Sequence, residues 1–132
     1  MPTAGFVYLD SSAFVKLVLA EPETPALVAA LDGVIRLIAS EILEVEARRA
    51  TQRGGGDTDA VRAQLDGVRL LPLSAEVRAC ASELKPASLR SLGAIHLATA
   101  LSVGDRLEGL YTYDERMSLA ARDAGLHVRS PE

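Results

Sequence analysis

Apolar positions along the chain follow two alternating patterns, and these predict strands that alternate with helices. Short, β-prone apolar runs predict strands at residues 6–9, 34–39, 68–73 and 109–113, with a fifth, edge strand at 126–129. Apolar residues spaced at i, i+3 and i+4 predict the helices between them. These helices cover residues 10–22, 23–31, 40–52, 57–66, 77–84, 89–103 and 117–124, with Pro22, Pro86 and Gly125 among their stop signals.

This alternation favours right-handed crossovers and a sheet that is covered by helices on both faces. We therefore expect an α/β fold, a three-layer α/β/α sandwich with a central parallel sheet of four to five strands. With 132 residues, one domain spanning 1–132 is expected, and the Gly54-Gly55-Gly56 triplet is too short to link two domains. In sheets of this kind, ligands bind outside the carboxyl ends of the strands.

Three acidic residues fall at that predicted edge. Asp10 directly follows the first strand, and Asp114 directly follows the fourth. Glu46 lies four residues after Ile42 on the helix that follows the second strand, so it shares a side with an apolar residue and can point inward. The neighbouring acids Glu41 and Glu44 are expected to face water.

Carboxylates that converge repel one another unless a cation is present or their pKa values shift. An oxygen-rich site of this kind suits Mg²⁺ or Mn²⁺. A plainer interpretation stays open, because an Asp before Ser11-Ser12 is often only a helix cap and an Asp after a strand is often only part of a turn.

Composition and charge narrow the possible functions. The net charge of −4 argues against a broad basic surface for nucleic acid, although a few arginines and bound metal ions can still meet RNA. A single cysteine excludes an internal disulfide and predicts a reducing, cytoplasmic location. The longest stretch without charged residues, 91–104, is shorter than the roughly 20 residues of a membrane span. No signal-peptide pattern opens the chain.

Several other polar residues have competing interpretations. His96 lies in an apolar helix and is interpreted as a satisfied core histidine, His127 as a surface residue and Cys80 as a core residue. The hydroxyls of Ser12 and Thr112 stand beside the acids, where they can hold a carboxylate or a metal-bound water, although capping or strand packing explains them equally well. The arginines near the predicted rim can grip phosphate, contact a partner or face solvent. They are Arg48, Arg49, Arg53, Arg90 and Arg116.

An ordered set of short motifs resembles the PIN-domain ribonucleases, and specifically the VapC-type toxins of bacterial toxin–antitoxin pairs. The matching segments are YLDSSA at 8–13 with VKL at 15–17, the stretch from Ser40 to Arg49 around Glu46, LRSLGAIHLATA at 89–100, TYDER at 112–116, and the ending AGL at 124–126 with Ser130-Pro131. No single segment is very specific. The ordered set covers nearly the whole chain.

The resemblance implies a metal-dependent endoribonuclease in which four acids hold Mg²⁺ or Mn²⁺ and phosphodiester bonds of RNA are hydrolysed. Asp10, Glu46 and Asp114 match three of these acids. It also implies a cytoplasmic toxin that binds a small antitoxin. We expect a homodimer and an antitoxin groove along the early helices, because the apolar faces of 14–18 and 27–31 exceed what one short helix pair usually buries.

Gly93 is the main departure from the family pattern, because the family has Leu-Asp-Ala where this chain has Leu92-Gly93-Ala94. If Gly93 marks the loss of this acid, RNA cleavage is expected to be slow or absent. Alternatively, the glycine allows close packing against a neighbouring helix. The competing function is a catalytically dead protein of this fold that binds only antitoxin or RNA. A phosphoacceptor receiver domain is disfavoured, because neither Lys16 nor Lys85 follows a late strand.

Overall fold

The computed structural model describes residues 5–34 and 36–132, which form a five-stranded parallel sheet and the helices that cover it. The strands are β1 (Phe6–Leu9), β2 (Leu37–Ser40), β3 (Val68–Leu71), β4 (Leu107–Tyr111) and β5 (Val128–Arg129). The helices are α1 (Ser11–Val15), α2 (Thr24–Leu31), α3 (Ile42–Arg53), α4 (Thr58–Leu65), α5 (Ala75–Glu83), α6 (Ser91–Val103) and α7 (Glu115–Asp123). The predicted α/β sandwich and the predicted edge position of β5 are confirmed.

The strand order β3-β2-β1-β4-β5 puts β1 at the centre of the sheet. Tyr8 of β1 pairs with Ile38 of β2 on one side and with Leu110 of β4 on the other, and all pairings are parallel. The chain therefore runs outward from β1 through β2 to β3 and then crosses to β4. A reversal of this kind opens a crevice at the carboxyl ends of the two central strands, which is where parallel α/β sheets bind ligands.

Several predicted boundaries shift for local reasons. Val34 donates its N–H to the Leu31 carbonyl and closes a turn after α2, so β2 begins at Leu37 instead of Val34; Ile35 lies outside the described residues. Pro72 has no N–H to donate, and β3 ends before it. The first helix is only five residues long and continues as i+3 turns, with the Leu17 N–H bonded to the Phe14 carbonyl. Ser40 ends β2 and Glu41 occupies the cap position of α3, so this helix begins at Ile42 instead of at the predicted residue 40.

The fourth strand begins two residues before its predicted start and ends two residues before its predicted end. Leu107 pairs with Phe6 at the start. At the other end, Tyr113 donates its N–H to the Ser12 hydroxyl instead of to a neighbouring strand. Thr112 still donates its N–H to the Arg129 carbonyl of β5, and the chain leaves the sheet after it to form the corner that carries Asp114.

The core lies on both sides of β1 and is sealed by α1, α3, α6 and α7. Tyr8, Phe14, Leu27 and Leu97 are fully buried. The prediction that Cys80 is a core residue is wrong, because its side chain is only half-buried. The reason is that α5 packs on α6 as an outer helix, and Val77 is its one fully buried residue. Among the described residues, no helix has both the length and the apolar character needed to cross a lipid bilayer.

Candidate active site

Asp10 is held in one orientation at the carboxyl end of the central strand. It is the N-cap of α1, and its Oδ1 accepts hydrogen bonds from the Ala13 N–H (3.0 Å) and the Ser12 hydroxyl (2.6 Å). The hydroxyl of Thr112 donates to its Oδ2. Asp10 is only 5% exposed. Burial raises the pKa of Asp10 above its ordinary value, and the hydrogen bonds from Ser12 and Thr112 oppose that rise.

Ser12 and Thr112 join the β1–α1 corner to the β4–α7 corner. The Ser12 hydroxyl accepts the Tyr113 N–H at 2.8 Å, and the Thr112 hydroxyl accepts the Asp114 N–H at 3.1 Å. Ser130 near the C-terminus donates to the Thr112 carbonyl and braces the same corner. Of the roles predicted for these hydroxyls, holding the Asp10 carboxylate is the one that the structure contains.

Glu46 points towards the same edge of the sheet from the second turn of α3. Its Oε1 lies 2.6 Å from His96 Nε2, and its Oε2 accepts the Ser11 hydroxyl at 3.2 Å. The side chain is 16% exposed. Glu41 is exposed and bonds the Leu73 N–H, whereas Glu44 pairs with Arg48 at 3.0 Å.

His96 is buried and satisfied, as predicted, but its partner is a candidate site residue. The residue is 2% exposed, and its Nδ1 lies 2.6 Å from the Tyr8 hydroxyl. That hydroxyl also accepts the Ser40 N–H at 3.0 Å. Sequence reasoning missed the contact between His96 and Glu46. The spacing of Gly93 and His96 at i and i+3, which places both on one side of α6, is the signal that could have indicated it.

Asp114 is exposed and caps α7. Its Oδ1 accepts the N–H groups of Arg116 (2.9 Å) and Met117 (3.1 Å). Asp114 therefore acts as a helix cap, which is one of the two interpretations that the sequence left open. Because both cap bonds go to Oδ1, a role in binding at the other oxygen is still compatible with capping.

One pocket of about 300 Å³ brings most of these residues together. Glu46, Gly93, Asp114 and Arg116 all line it, and Arg90 and His96 complete its polar wall. Asp10 lies beside it, one residue before the lining residue Ser11. The structure thus places three predicted site positions around one cavity and the fourth next to it.

Gly93 is the third residue of α6 and has no conformational need to be glycine. Its φ angle is not positive, unlike those of Gly33, Gly55, Gly104 and Gly125. A Cβ at this position would meet only the Leu89 side chain, at 3.2 Å from Cδ1. No neighbouring helix approaches the position among the described residues, so the close-packing alternative for Gly93 is wrong.

The donors around the pocket are carboxylate and hydroxyl oxygens, which is the chemistry that Mg²⁺ and Mn²⁺ prefer. They therefore fit such an ion in kind. In residues 5–34 and 36–132, however, no three side chains of His, Cys, Asp or Glu are placed to hold one ion. With Gly93 in place, the pocket itself contains two acids, Glu46 and Asp114, and Asp10 beside it brings the number to three of the four expected.

A second, larger groove of about 790 Å³ runs between α1 and α3 and shares the lining residues Ser11, Glu46 and Leu92 with the pocket. We refer to it as the α1–α3 groove. Its apolar lining includes Val15, Ile42, Val45 and Leu92, and Arg49 and Arg53 lie along it. Val45 is 62% and Leu92 50% exposed. Phe14 and Leu27 do not contribute to it, because both face the protein's own core.

Comparisons with known proteins bear on the family and the fold of this chain. The family model described as PIN domain matches residues 7–123. Ribonuclease VapC47 of Mycobacterium tuberculosis is 40% identical over 131 residues, which cover 95% of this chain and 96% of the relative. Ribonuclease VapC46 of the same organism is 41% identical and covers 95% and 97%. The crystal structure of M. tuberculosis VapC20, described as a sarcin–ricin loop cleaving toxin, superposes with a TM-score of 0.73 at 18% identity, covering 95% of this chain and 99% of that one.

Proposed function

The chain belongs to the PIN domain family and to its VapC-type ribonucleases, and from this premise we propose that it is a toxin whose RNA cleavage depends on Mg²⁺ or Mn²⁺ and is attenuated by Gly93. The observation that carries the proposal is the single pocket lined by Glu46, Gly93 and Asp114, with Asp10 beside it. The relatives named ribonucleases support the reaction class.

In this proposal, Asp10, Glu46 and Asp114 hold the metal ion. An ion held by these residues would supply an activated water and would stabilise negative charge on the scissile phosphate. The protein contributes orientation: three donors fix Asp10, while Ser11 and His96 fix Glu46. Arg90 and Arg116 line the pocket and form no ion pair among the described residues, so both are free to bind RNA phosphates.

The decisive experiment restores the missing acid. In Gly93→Asp, the new carboxylate enters the pocket, and only the end of the Leu89 side chain has to move. We expect Mn²⁺-dependent cleavage of RNA to rise about 10²–10³-fold over the starting chain, the usual effect of one electrostatic contact in a transition state. Asp10→Ala in the restored background should abolish the gain.

Gly93→Asn is the matched control, because it adds the same shape without the charge. It should leave cleavage near the level of the starting chain. If the chain with Gly93 already cleaves RNA as fast as Gly93→Asp, then position 93 is not the vacant acid position and the attenuation proposal fails.

The alternative is a catalytically dead PIN-fold protein that binds only its antitoxin or RNA. The specific observation in its favour is that no three side chains of the described residues are placed to hold one metal ion. Absence of Mn²⁺-dependent cleavage in both the starting chain and Gly93→Asp, with antitoxin binding retained, would favour this alternative.

We further propose that a small antitoxin covers the α1–α3 groove in the cytoplasm, and that the toxin is a homodimer. The groove shares Ser11 and Glu46 with the pocket, so a segment lying in it also blocks the acids. Val45→Asp should weaken binding of the small protein encoded beside this chain, whereas Val28→Asp, at an equally exposed valine of α2 outside the groove, should not. A monomeric chain at high concentration in light scattering would contradict the dimer.

A further inference from the structure

We propose that His96 and Tyr8 are positioning residues that hold Glu46 in its metal-binding orientation. The inference rests on the proposed function, and it assigns a task to two buried residues that the motif comparison did not identify as part of the site. It starts from a continuous chain of hydrogen bonds. These hydrogen bonds run from the Ser40 N–H through the Tyr8 hydroxyl and the His96 ring to Glu46.

The direction of these bonds follows from the chemistry of their ends. An ionised Glu46 carboxylate only accepts, so His96 Nε2, at 2.6 Å from it, carries the ring proton. In the neutral ring, Nδ1 is then an acceptor, and the Tyr8 hydroxyl donates to it at 2.6 Å. The same hydroxyl accepts the Ser40 N–H at 3.0 Å. Each group in the chain has one role, and the Nε2–H tautomer satisfies all of them.

The ring itself is fixed by its surroundings. Tyr8 and His96 pack edge to face, with ring centroids 5.7 Å apart and an angle of 79° between the planes. Both residues are almost completely buried. The backbone partner Ser40 ends β2, so this series of hydrogen bonds connects β1, β2 and α6 to Glu46. Glu46 is the site carboxylate that lies within a helix and not at a helix cap. Ordering a long Glu side chain costs rotamer entropy, and the contacts at Oε1 and Oε2 supply the compensating interactions.

The arrangement is the one known to orient metal-binding groups in proteins. Hydrogen-bond partners of a ligand fix its geometry, and their removal typically lowers metal affinity 10–100-fold. His96 lies behind Glu46 and uses both ring nitrogens within the protein. It therefore acts on the ion through Glu46 and not as a ligand.

Two substitutions at position 96 separate positioning from simple core packing. The amide of Gln reaches the place of Nε2 and can still donate to Glu46, whereas the shorter Asn reaches only the place of Nδ1 and keeps the contact with Tyr8. In the Gly93→Asp background, we expect His96→Asn to weaken Mn²⁺ binding about 10–100-fold. His96→Gln keeps the donor to Glu46 but not the acceptor for Tyr8, and it should lose less affinity than His96→Asn. Tyr8→Phe also leaves that donor in place, and it should likewise weaken binding less than His96→Asn does.

Tyr111→Phe is the matched control for Tyr8→Phe. It removes one hydroxyl from a buried tyrosine of the adjacent strand β4 that bonds neither His96 nor Glu46. It should leave Mn²⁺ affinity unchanged. Thermal stability measured on every variant separates a loss of fold from a loss of orientation.

A spectroscopic measurement makes the inference independent of metal binding. In ¹⁵N NMR of the starting chain, we expect the His96 proton on Nε2. We also expect the ¹³C shift of the Glu46 carboxylate to move in His96→Asn but not in His96→Gln. If the parent Gly93→Asp binds no Mn²⁺ while these shifts behave as expected, the proposed function fails, and what stands is that His96 orients the Glu46 carboxylate. A proton on Nδ1, or equal losses in Asn and Gln variants that follow their stability, overturns the inference.

Discussion

Replacing Asp10 by Asn should make the protein more stable while removing the proposed metal-dependent RNA cleavage. Burial raises the pKa of Asp10 above its ordinary value, with hydrogen bonds from Ser12 and Thr112 opposing the rise. The folded state therefore binds the proton more tightly than the unfolded chain does, and the ionised side chain lowers the free energy of unfolding at neutral pH. Asn keeps the shape of the side chain and removes the charge.

The magnitude follows from two opposing contributions. Burying one carboxylate costs several kcal/mol in real proteins. In Asn only Oδ1 still accepts, so the hydrogen bonds from Ala13 and Ser12 each weaken by about 1 kcal/mol relative to a charged acceptor. Nδ2 takes the place of Oδ2 as a donor, and the Thr112 hydroxyl has to turn and accept from it. The difference leaves a net gain of about 1 kcal/mol for Asp10→Asn. For a chain of this length, that gain corresponds to a Tm higher by about 3–5 °C.

The assay is thermal or urea unfolding of both proteins as a function of pH. The stability gap should be largest at neutral pH and should close as the pH falls through the raised folded-state pKa towards the ordinary Asp value of 3.8, because both side chains are then neutral. Asp57→Asn, at an exposed helix cap outside the site, should show no gain. An Asp10→Asn protein that is less stable at neutral pH, or a gap that does not close in acid, would refute this reasoning.

Two further substitutions test neighbouring parts of the site. Thr112→Val keeps the shape of the side chain but removes the hydroxyl that donates to Asp10 and accepts the Asp114 N–H. It should lower the free energy of unfolding by about 1–3 kcal/mol, because a buried carboxylate loses a donor, and an unchanged urea midpoint would count against the role of Thr112. Gly93→Ala should raise the free energy of unfolding by up to about 1 kcal/mol, since the added Cβ meets only Leu89 and alanine favours helix. It should not increase RNA cleavage, and an increase would show that the charge at this position is not what the site lacks.

The fold class was predictable because strand and helix periodicities alternate along the whole chain. The observed boundaries differ from the predicted ones where a single residue stops a strand. Pro72 has no N–H to donate, so β3 ends before it. Tyr113 donates its N–H to the Ser12 hydroxyl instead of to a strand, so β4 ends before it. The order of the strands was not predictable, since periodicity records which residues are buried and not which strands are neighbours. Cys80 shows the same limit, because its helical spacing places it on the inner side of α5 but does not reveal that α5 is an outer helix.

The positions of the candidate acids were predictable from the strand ends, but the contacts that hold them were not. Thr112 and Asp10 are 102 residues apart, and His96 and Glu46 are 50 apart. No local pattern connects such pairs, because their contact depends on how the sheet and α6 pack together. His96 is the clearest case. Its apolar neighbours correctly predict that it is buried, but burial alone does not predict that its Nε2 contacts the carboxylate of Glu46.

The hydrogen bonds and burial around the candidate acids indicate that a substitution at position 93 alone would complete the proposed site. A buried carboxylate at Asp10 lowers stability, and a chain that needed only its fold would be more stable with a neutral residue there. Hydrogen-bond donors nevertheless hold both carboxylates. Ala13 and Thr112 donate to Asp10, and Ser11 and His96 hold Glu46. Gly93 sits one helical turn before His96 in an ordinary helical conformation, with room for a side chain that faces the pocket. The hydrogen bonds that orient Asp10 and Glu46 are present, so under the proposed function a single acidic substitution at position 93 is the smallest change that would complete the site.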